Sequence, residues 1–235
     1  MTQNSLIILS LDCATTGCSV AVLKDGDVLA LDARVMARGQ AEVLLPMVKG
    51  VLETANLQNA DLNAIAVTRG PGAFTGMRIG LSAARAFAMA LGVPCIGVTT
   101  LEAVAHGISI AERQGQRILA AVESKRADIY VQLFDANFAP LCEPQAADGA
   151  AIAALIENDA DILTVGDGAV RAQEMVAEHG LKIALSQAPA LPDARIVATI
   201  AQARYEDALD APPPAPLYLR PPDAKLPKNQ GRARP

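Results

Sequence analysis

The stretch from Thr75 to Leu91 constrains this chain more than any other. Its only charged residues are Arg78 and Arg85, and the rest is Gly, Ala, Ser, Met or aliphatic apart from Thr75 and Phe87. The spacing predicts a helix that is apolar nearly all round, so it has to be covered on two sides, by its own domain and by something else. Small residues at Gly76, Gly80, Ala83, Ala84 and Ala88 let another element approach it closely. It follows Arg69-Gly70-Pro71-Gly72-Ala73-Phe74, which cannot be regular structure, and Thr75 is the expected N-cap. A second helix is expected over Ala41–Ala55. There Leu44, Met47, Val48, Val51, Leu52 and Ala55 form a stripe that Val43 and Leu45 widen beyond one core face.

Around these helices the chain reads as α/β. Leu6–Leu11 is a short apolar run, as in a strand buried on both faces, and Ser19–Leu23 and Val28–Leu31 flank an Asp25-Gly26 hairpin turn. Strands are expected at Ala64–Thr68 and Val93–Val98, then a helix from Thr99 or Thr100. The second half repeats the scheme. Strands Arg117–Val122 and Asp128–Phe134 enclose Ser124-Lys125-Arg126-Ala127, and strand Asp161–Val165 lies between helices near Asp148–Glu157 and Ala169–His179. A last helix is expected near Pro192–Ala208. Element order therefore predicts duplicated mixed-sheet lobes with flanking helices and a cleft between them. The divisions expected are a first lobe over 1–100, a second over 101–190, a helix over 191–210 packing back on the body, and a Pro-rich basic tail over 211–235. In that tail Leu217-Tyr218-Leu219 is read as a short docking strand.

Composition excludes several function classes. With 235 residues, 51% of them hydrophobic and 19% charged, the chain is no disordered segment. Aromatics amount to 3% with no Trp, too few for stacking platforms on single-stranded nucleic acid. The net charge of −5 combines +4 from Arg220 onward with about −9 on the preceding body, which makes that body a poor binder of phosphate backbones on its own. Cys13, Cys18, Cys95 and Cys142 include no CxxC pair, and His106 and His179 fall on different expected helices, so no zinc or other metal site is expected. The N-terminus has no basic region, no apolar run is long enough to span a bilayer, and a cytoplasmic location is expected.

No catalytic constellation emerges. Asp12-Cys13-Ala14-Thr15-Thr16-Gly17 sits where actin-like ATPases and sugar kinases hold phosphate, which makes Asp12 and Thr15 candidate nucleotide-binding residues. Ala14, however, stands where those enzymes have Gly, and Asp and Thr favour such turns without any ligand. The Gly70–Gly80 stretch is neither a Walker loop nor a dinucleotide fingerprint, and a fixed turn followed by close helix packing accounts for its glycines.

Taken together, Ile8–Thr15, Glu42–Val48, the string Gly70-Pro71-Gly72-Ala73-Phe74-Thr75-Gly76-Met77-Arg78-Ile79-Gly80, Ile96–Glu102 and Pro216–Arg220 closely resemble the TsaB (YeaZ) family. Gln40, where relatives often have His, and the Glu123–Tyr130 hairpin depart from its pattern. The resemblance implies a two-lobed actin-like (ASKHA) fold and a non-catalytic subunit. Such a subunit pairs with the related TsaD protein, which transfers threonylcarbamoyl to a tRNA adenosine beside the anticodon. An ATPase, TsaE, joins the pair, so ATP or ADP is expected only at the complex, and tRNA contact only through it. Alone, the chain is expected to homodimerise. The resemblance places the pairing surface on the two helices, where Val43, Leu44, Met47, Val48, Val51, Gly76, Met77, Gly80 and Ala84 are the candidate partner-binding residues. The competing expectation is an independent ATP-binding phosphotransferase or ATPase using the Asp12 loop.

Overall fold

The unbroken burial of the first strand already dictates a layered structure. In the computed structural model, which describes residues 5–156 and 161–220, β1 (Ile7–Asp12) is buried at every position. Ile7, Leu9 and Leu11 point into one core and Ile8 into another on the opposite face, as a period of two requires. β1, β2 (Gly17–Lys24) and β3 (Asp27–Val35) form an antiparallel meander with Ile7 opposite Lys24 and Asp12 opposite Ser19. After α1 (Gln40–Thr54), the strands β4 (Ala64–Thr68) and β5 (Cys95–Val98) add parallel to β1, connected by α2 (Phe74–Leu91). The sheet order is β3-β2-β1-β4-β5.

The same winding then recurs. α3 (Thr100–Ala105) and α4 (Ile110–Arg113) lead into β6 (Arg117–Val122), β7 (Ile129–Phe134), β8 (Gln145–Ala147), α5 (Gly149–Ile156), β9 (Ile162–Val165), α6 (Ala169–Ala177) and β10 (Ala184–Leu185). Their order, β10-β9-β6-β7-β8, with β6 antiparallel to β7 and parallel to β9, repeats the first sheet strand for strand. This is the duplicated actin-like arrangement. β8 and β10, of three and two residues, are too short to show alternation in the sequence and have no counterpart among the expected strands. Glu157 and residues 221–235 lie outside the described residues.

Each sheet is covered on both faces. α1 and α2 roof one side of the first sheet, and the other is packed by α7 (Ala194–Ala203), whose Ala194, Val197, Ala198 and Ala201 meet Ile8, Ala21, Ala64 and Ala66. Ser10, buried on that face, donates its hydroxyl to the Ala194 carbonyl at 2.6 Å. The chain thus returns to the first lobe after building the second, and α8 (Tyr205–Ala208) ends the helical part. In the second lobe, α5 and α6 pack on one face and α3 on the other, with Leu101 and Val104 against Ile118 and Val122.

Two local expectations need correction. Thr75 is exposed and does not cap α2; the N-cap is Ala73, without a side-chain cap, and its N–H donates to the Ala14 carbonyl at 2.7 Å. Leu217–Leu219 forms no strand, although the Leu217 N–H does donate to the Arg69 carbonyl at 2.7 Å. α1 starts at Gln40, whose buried amide donates to the Met36 carbonyl at 3.2 Å behind Gly39 in the left-handed region (φ 92°).

Candidate functional site

The helix pair α1–α2 has two apolar sides. Toward the sheet, Leu44, Met47, Val48 and Val51 of α1 and Met77 and Ala84 of α2 are buried among Leu9, Leu11, Val20, Val22, Ile65 and Val67. Gly76 and Gly80 are spent in the same place. A Cβ on Gly76 would lie 2.1 Å from the Cys13 carbonyl oxygen, and one on Gly80 would lie 3.7 Å from the Cys13 Cβ. Among the candidate partner-binding residues, then, all are buried in or packed against the lobe's own core, with Val43 half-buried there and Leu44 also bordering the outward groove. The physical reason is that the sheet claims the best-aligned apolar stripe first, and the small residues of α2 let it approach β1.

The outward side is made by other residues. Ala41, Leu44 and Leu45 of α1 and Ile79, Ala83, Ala86, Phe87 and Ala90 of α2 line an open apolar groove of about 420 Å³. Leu45 is 56% exposed, and Met89, near the end of α2, is 83% exposed. Such large side chains stay in water at a cost unless something covers them. Their i, i+4, i+7, i+8 and i+11 spacing from Ile79 was present in the sequence as a second stripe. Leu44 is one of the candidate partner-binding residues, Leu45 widens the α1 stripe, and Ala83 is one of the small residues expected to admit another element, whereas Ala41, Ile79, Ala86, Phe87 and Ala90 carry no pairing expectation.

A larger cleft of about 1440 Å³ separates the lobes, lined by Thr15, Thr16, Arg38 and Gly72–Arg78 on one wall and Glu123–Arg126, Tyr130 and Asp167 on the other. The structure separates the two candidate nucleotide residues. Thr15 borders the cleft, and its buried hydroxyl has no hydrogen-bond partner among the described residues. Asp12, 1% exposed, is turned inward, where its Oδ1 accepts from the Thr68 hydroxyl at 2.6 Å and the Ala14 N–H at 3.1 Å. Burial pushes its carboxyl up to about 6, against the pull of those two donors.

The loop between them is locked from behind. A Cβ on Gly72 would lie 2.0 Å from the Ala14 carbonyl oxygen, which already accepts the Ala73 N–H that opens α2. That bond removes one of the free donors an anion would use there. The second lobe repeats the device: a Cβ on Gly166 would lie 2.0 Å from the Ala121 carbonyl oxygen, which accepts the Gly168 N–H at 3.1 Å. Asp167 accepts the Glu123 N–H at 2.9 Å, and burial raises its pKa.

Among the described residues no group of three or more His, Cys, Asp or Glu is placed to share a metal, and no helix is long and apolar enough to cross a membrane. His106 stacks on Phe138 with ring centroids 4.1 Å apart, and burial holds its imidazole below the usual pKa. Cys13 and Cys18 are buried with their sulfurs 3.4 Å apart.

The family model for TsaD, tRNA N6-adenosine threonylcarbamoyltransferase, matches residues 34–227. The tRNA threonylcarbamoyladenosine biosynthesis protein TsaB of Escherichia coli K12 is 40% identical over 123 residues, 52% of either chain. The chain thus spans about half the length of that relative, and 58% of the TsaB protein of Buchnera aphidicola from Schizaphis graminum. A functionally uncharacterized protein of Mycobacterium tuberculosis H37Rv is 34% identical over 223 residues, 93% of both chains. The solved structure of YeaZ from Pseudomonas aeruginosa superposes with a TM-score of 0.73 at 28% identity, covering 91% of this chain and 100% of that one. With its duplicated sheets, its paired apolar helices and these likenesses, the chain belongs to the TsaB (YeaZ) family, within the wider group that the TsaD model describes.

Proposed function

We propose that this chain is a non-catalytic, cytoplasmic subunit of the machinery that makes N6-threonylcarbamoyladenosine on tRNA, and that it acts by pairing with a TsaD-type transferase. The observation that carries this reading is the outward groove of α1 and α2, which is apolar along its whole length and uncovered in the single chain. A related partner built on the same duplicated fold offers an equivalent helix pair, and two such pairs bury both apolar sides in a four-helix packing. The same groove supports self-pairing when the partner is absent. TsaE joins the assembled pair, nucleotide binds at the assembly rather than to this chain alone, and tRNA is reached through the complex.

The inward turn of Asp12 and the Ala14 carbonyl at the start of α2 favour this reading over an independent ATPase. The test is reconstituted threonylcarbamoyl transfer with a TsaD-type partner and its donor substrate. Adding this chain should raise the rate, and adding Leu45→Asp or Ala86→Glu should not. An equal rise with the variants removes the groove from the account, and no rise with the wild type removes the subunit role.

A further inference from the structure

Residues Pro212–Arg220 follow α8 without helix or ladder, yet they touch both lobes. On the first lobe, the Leu217 N–H bonds the Arg69 carbonyl at 2.7 Å and the Tyr218 hydroxyl accepts from Arg78 Nε at 2.8 Å. The Arg78 guanidinium lies 3.7 Å over the Phe74 ring, and Phe74 and Tyr218 are 5.8 Å apart between centroids, so the arginine and the two rings form one stack. Two glycines make room for the segment. A Cβ on Gly97 would stand 2.6 Å from the Pro214 Cβ, and one on Gly70 (φ +99°) would stand 3.1 Å from the Leu217 carbonyl oxygen. On the second lobe, Arg220 pairs with Asp128 and lies 5.8 Å over the Tyr130 ring. Leu217–Arg220 also border the interlobe cleft.

We propose that Pro212–Arg220 is a strap that fixes how far the two lobes close over their cleft. A separate contact between the lobes supplies the fixed point, where Arg204, beyond α7, donates to Glu102 of α3 at 2.5 Å. The 123–128 hairpin keeps its own anchor when the strap lets go, because Arg171 holds Glu123 at 2.9 Å and bonds the Ala127 carbonyl at 2.7 Å. Loss of the Arg220 contact therefore separates the walls without unfolding either. The strap is distinct from the α1–α2 groove, and its test needs no partner protein.

The experiment is hydrogen–deuterium exchange by mass spectrometry on the full chain and on Arg220→Ala, Tyr218→Ala, Tyr218→Phe and Arg220→Lys. Arg220→Ala and Tyr218→Ala should speed exchange about tenfold or more at 123–130 and at the facing wall, 15–16 and 72–77, while α7 keeps its protection. Arg220→Lys should largely restore the slow rates, and Tyr218→Phe, which keeps the ring stack, should lie between wild type and Tyr218→Ala. Acceleration confined to 212–220 and the first-lobe wall would overturn the proposal, since the segment would then be packing on one lobe only. No acceleration, or an equal rise throughout both lobes, would overturn it as well.

Discussion

The two lobes thread five strands in the same order, and each locks its first crossover by setting a glycine over an alanine carbonyl, Gly72 over Ala14 and Gly166 over Ala121. They differ in what is built on that frame. β3 has nine residues and its counterpart β8 three; α1 and α2 have 15 and 18, whereas, among the described residues, α5 and α6 have 8 and 9. The short helices of the second lobe supply one apolar stripe, Ile152, Ile156, Ala172 and Val176, and spend it on their own sheet. Outward, α6 shows Arg171, Gln173 and Glu174 beside Val170. The first-lobe helices supply a second stripe that their core only partly covers, at Ile79, Ala83 and Phe87, and Leu45, Phe87 and Met89 sit on it or beside it. Duplication sets topology here, and the outward composition of one helix pair sets what the molecule can bind.

The most severe way to probe that contrast is to place a charge on the sheet-facing side. Ala84→Glu, at a position with no exposure, should cost about 4 kcal/mol or more and abolish the cooperative thermal melt of the first lobe, because a carboxylate there has no partner. Val51→Asp should do the same, and a normal circular-dichroism melt for either would show that the inward and outward faces are misassigned. Next come the crossover locks. Gly72→Ala and Gly166→Ala should each lower stability by about 3 kcal/mol in urea titration, somewhat more at Gly166, whose φ of +110° adds strain. A mild effect at one and a severe effect at the other would break the equivalence of the two loops.

A smaller effect centres on Asp12 of the first lobe. Asp12 titrates near 6 in the folded chain and near 3.8 when exposed, so the folded state holds its proton more tightly. Its contribution to stability is greatest below pH 3.8 and is lost as pH rises through 6, a change of about 2–3 kcal/mol. Asp12→Asn, whose Oδ1 can still accept from Thr68 and Ala14, should gain on the wild type by about 2 kcal/mol between pH 4 and pH 7. Parallel denaturation curves across that range would mean that the carboxyl is not buried as described. Smallest in stability is Leu45→Asp, a substitution on the 56% exposed outward side, which should shift folding by no more than about 0.5 kcal/mol.

Much of this was legible in the residues. The apolar run that opens β1, the Asp25-Gly26 turn and the 3.6 periodicity of the two long helices pointed to the first lobe, and recurrence of hairpin then α/β pointed to the second. What the sequence hid was direction. A helix apolar all round does not say which stripe its sheet will take, so Gly76, Gly80 and Ala84 read as a docking surface when they serve the approach of α2 to Cys13 and β1. Long-range backbone partners were equally invisible. Ala14 at the start of α2 replaced the cap expected of Thr75, and Arg69 held Leu217 by one bond rather than a ladder. Asp12 and Thr15 share one loop, yet only the fold turns one inward and leaves the other at the cleft.

The central claim is that the outward face of α1 and α2 is a pairing surface, and light scattering after size exclusion tests it most directly. Wild-type chain alone should elute with the mass of a dimer, and a TsaD-type partner should replace that dimer with a mixed complex. Leu45→Asp should remain folded and run as a monomer that forms neither. A wild-type monomer indifferent to the partner, or a Leu45→Asp variant that pairs as well as the wild type, would contradict the account.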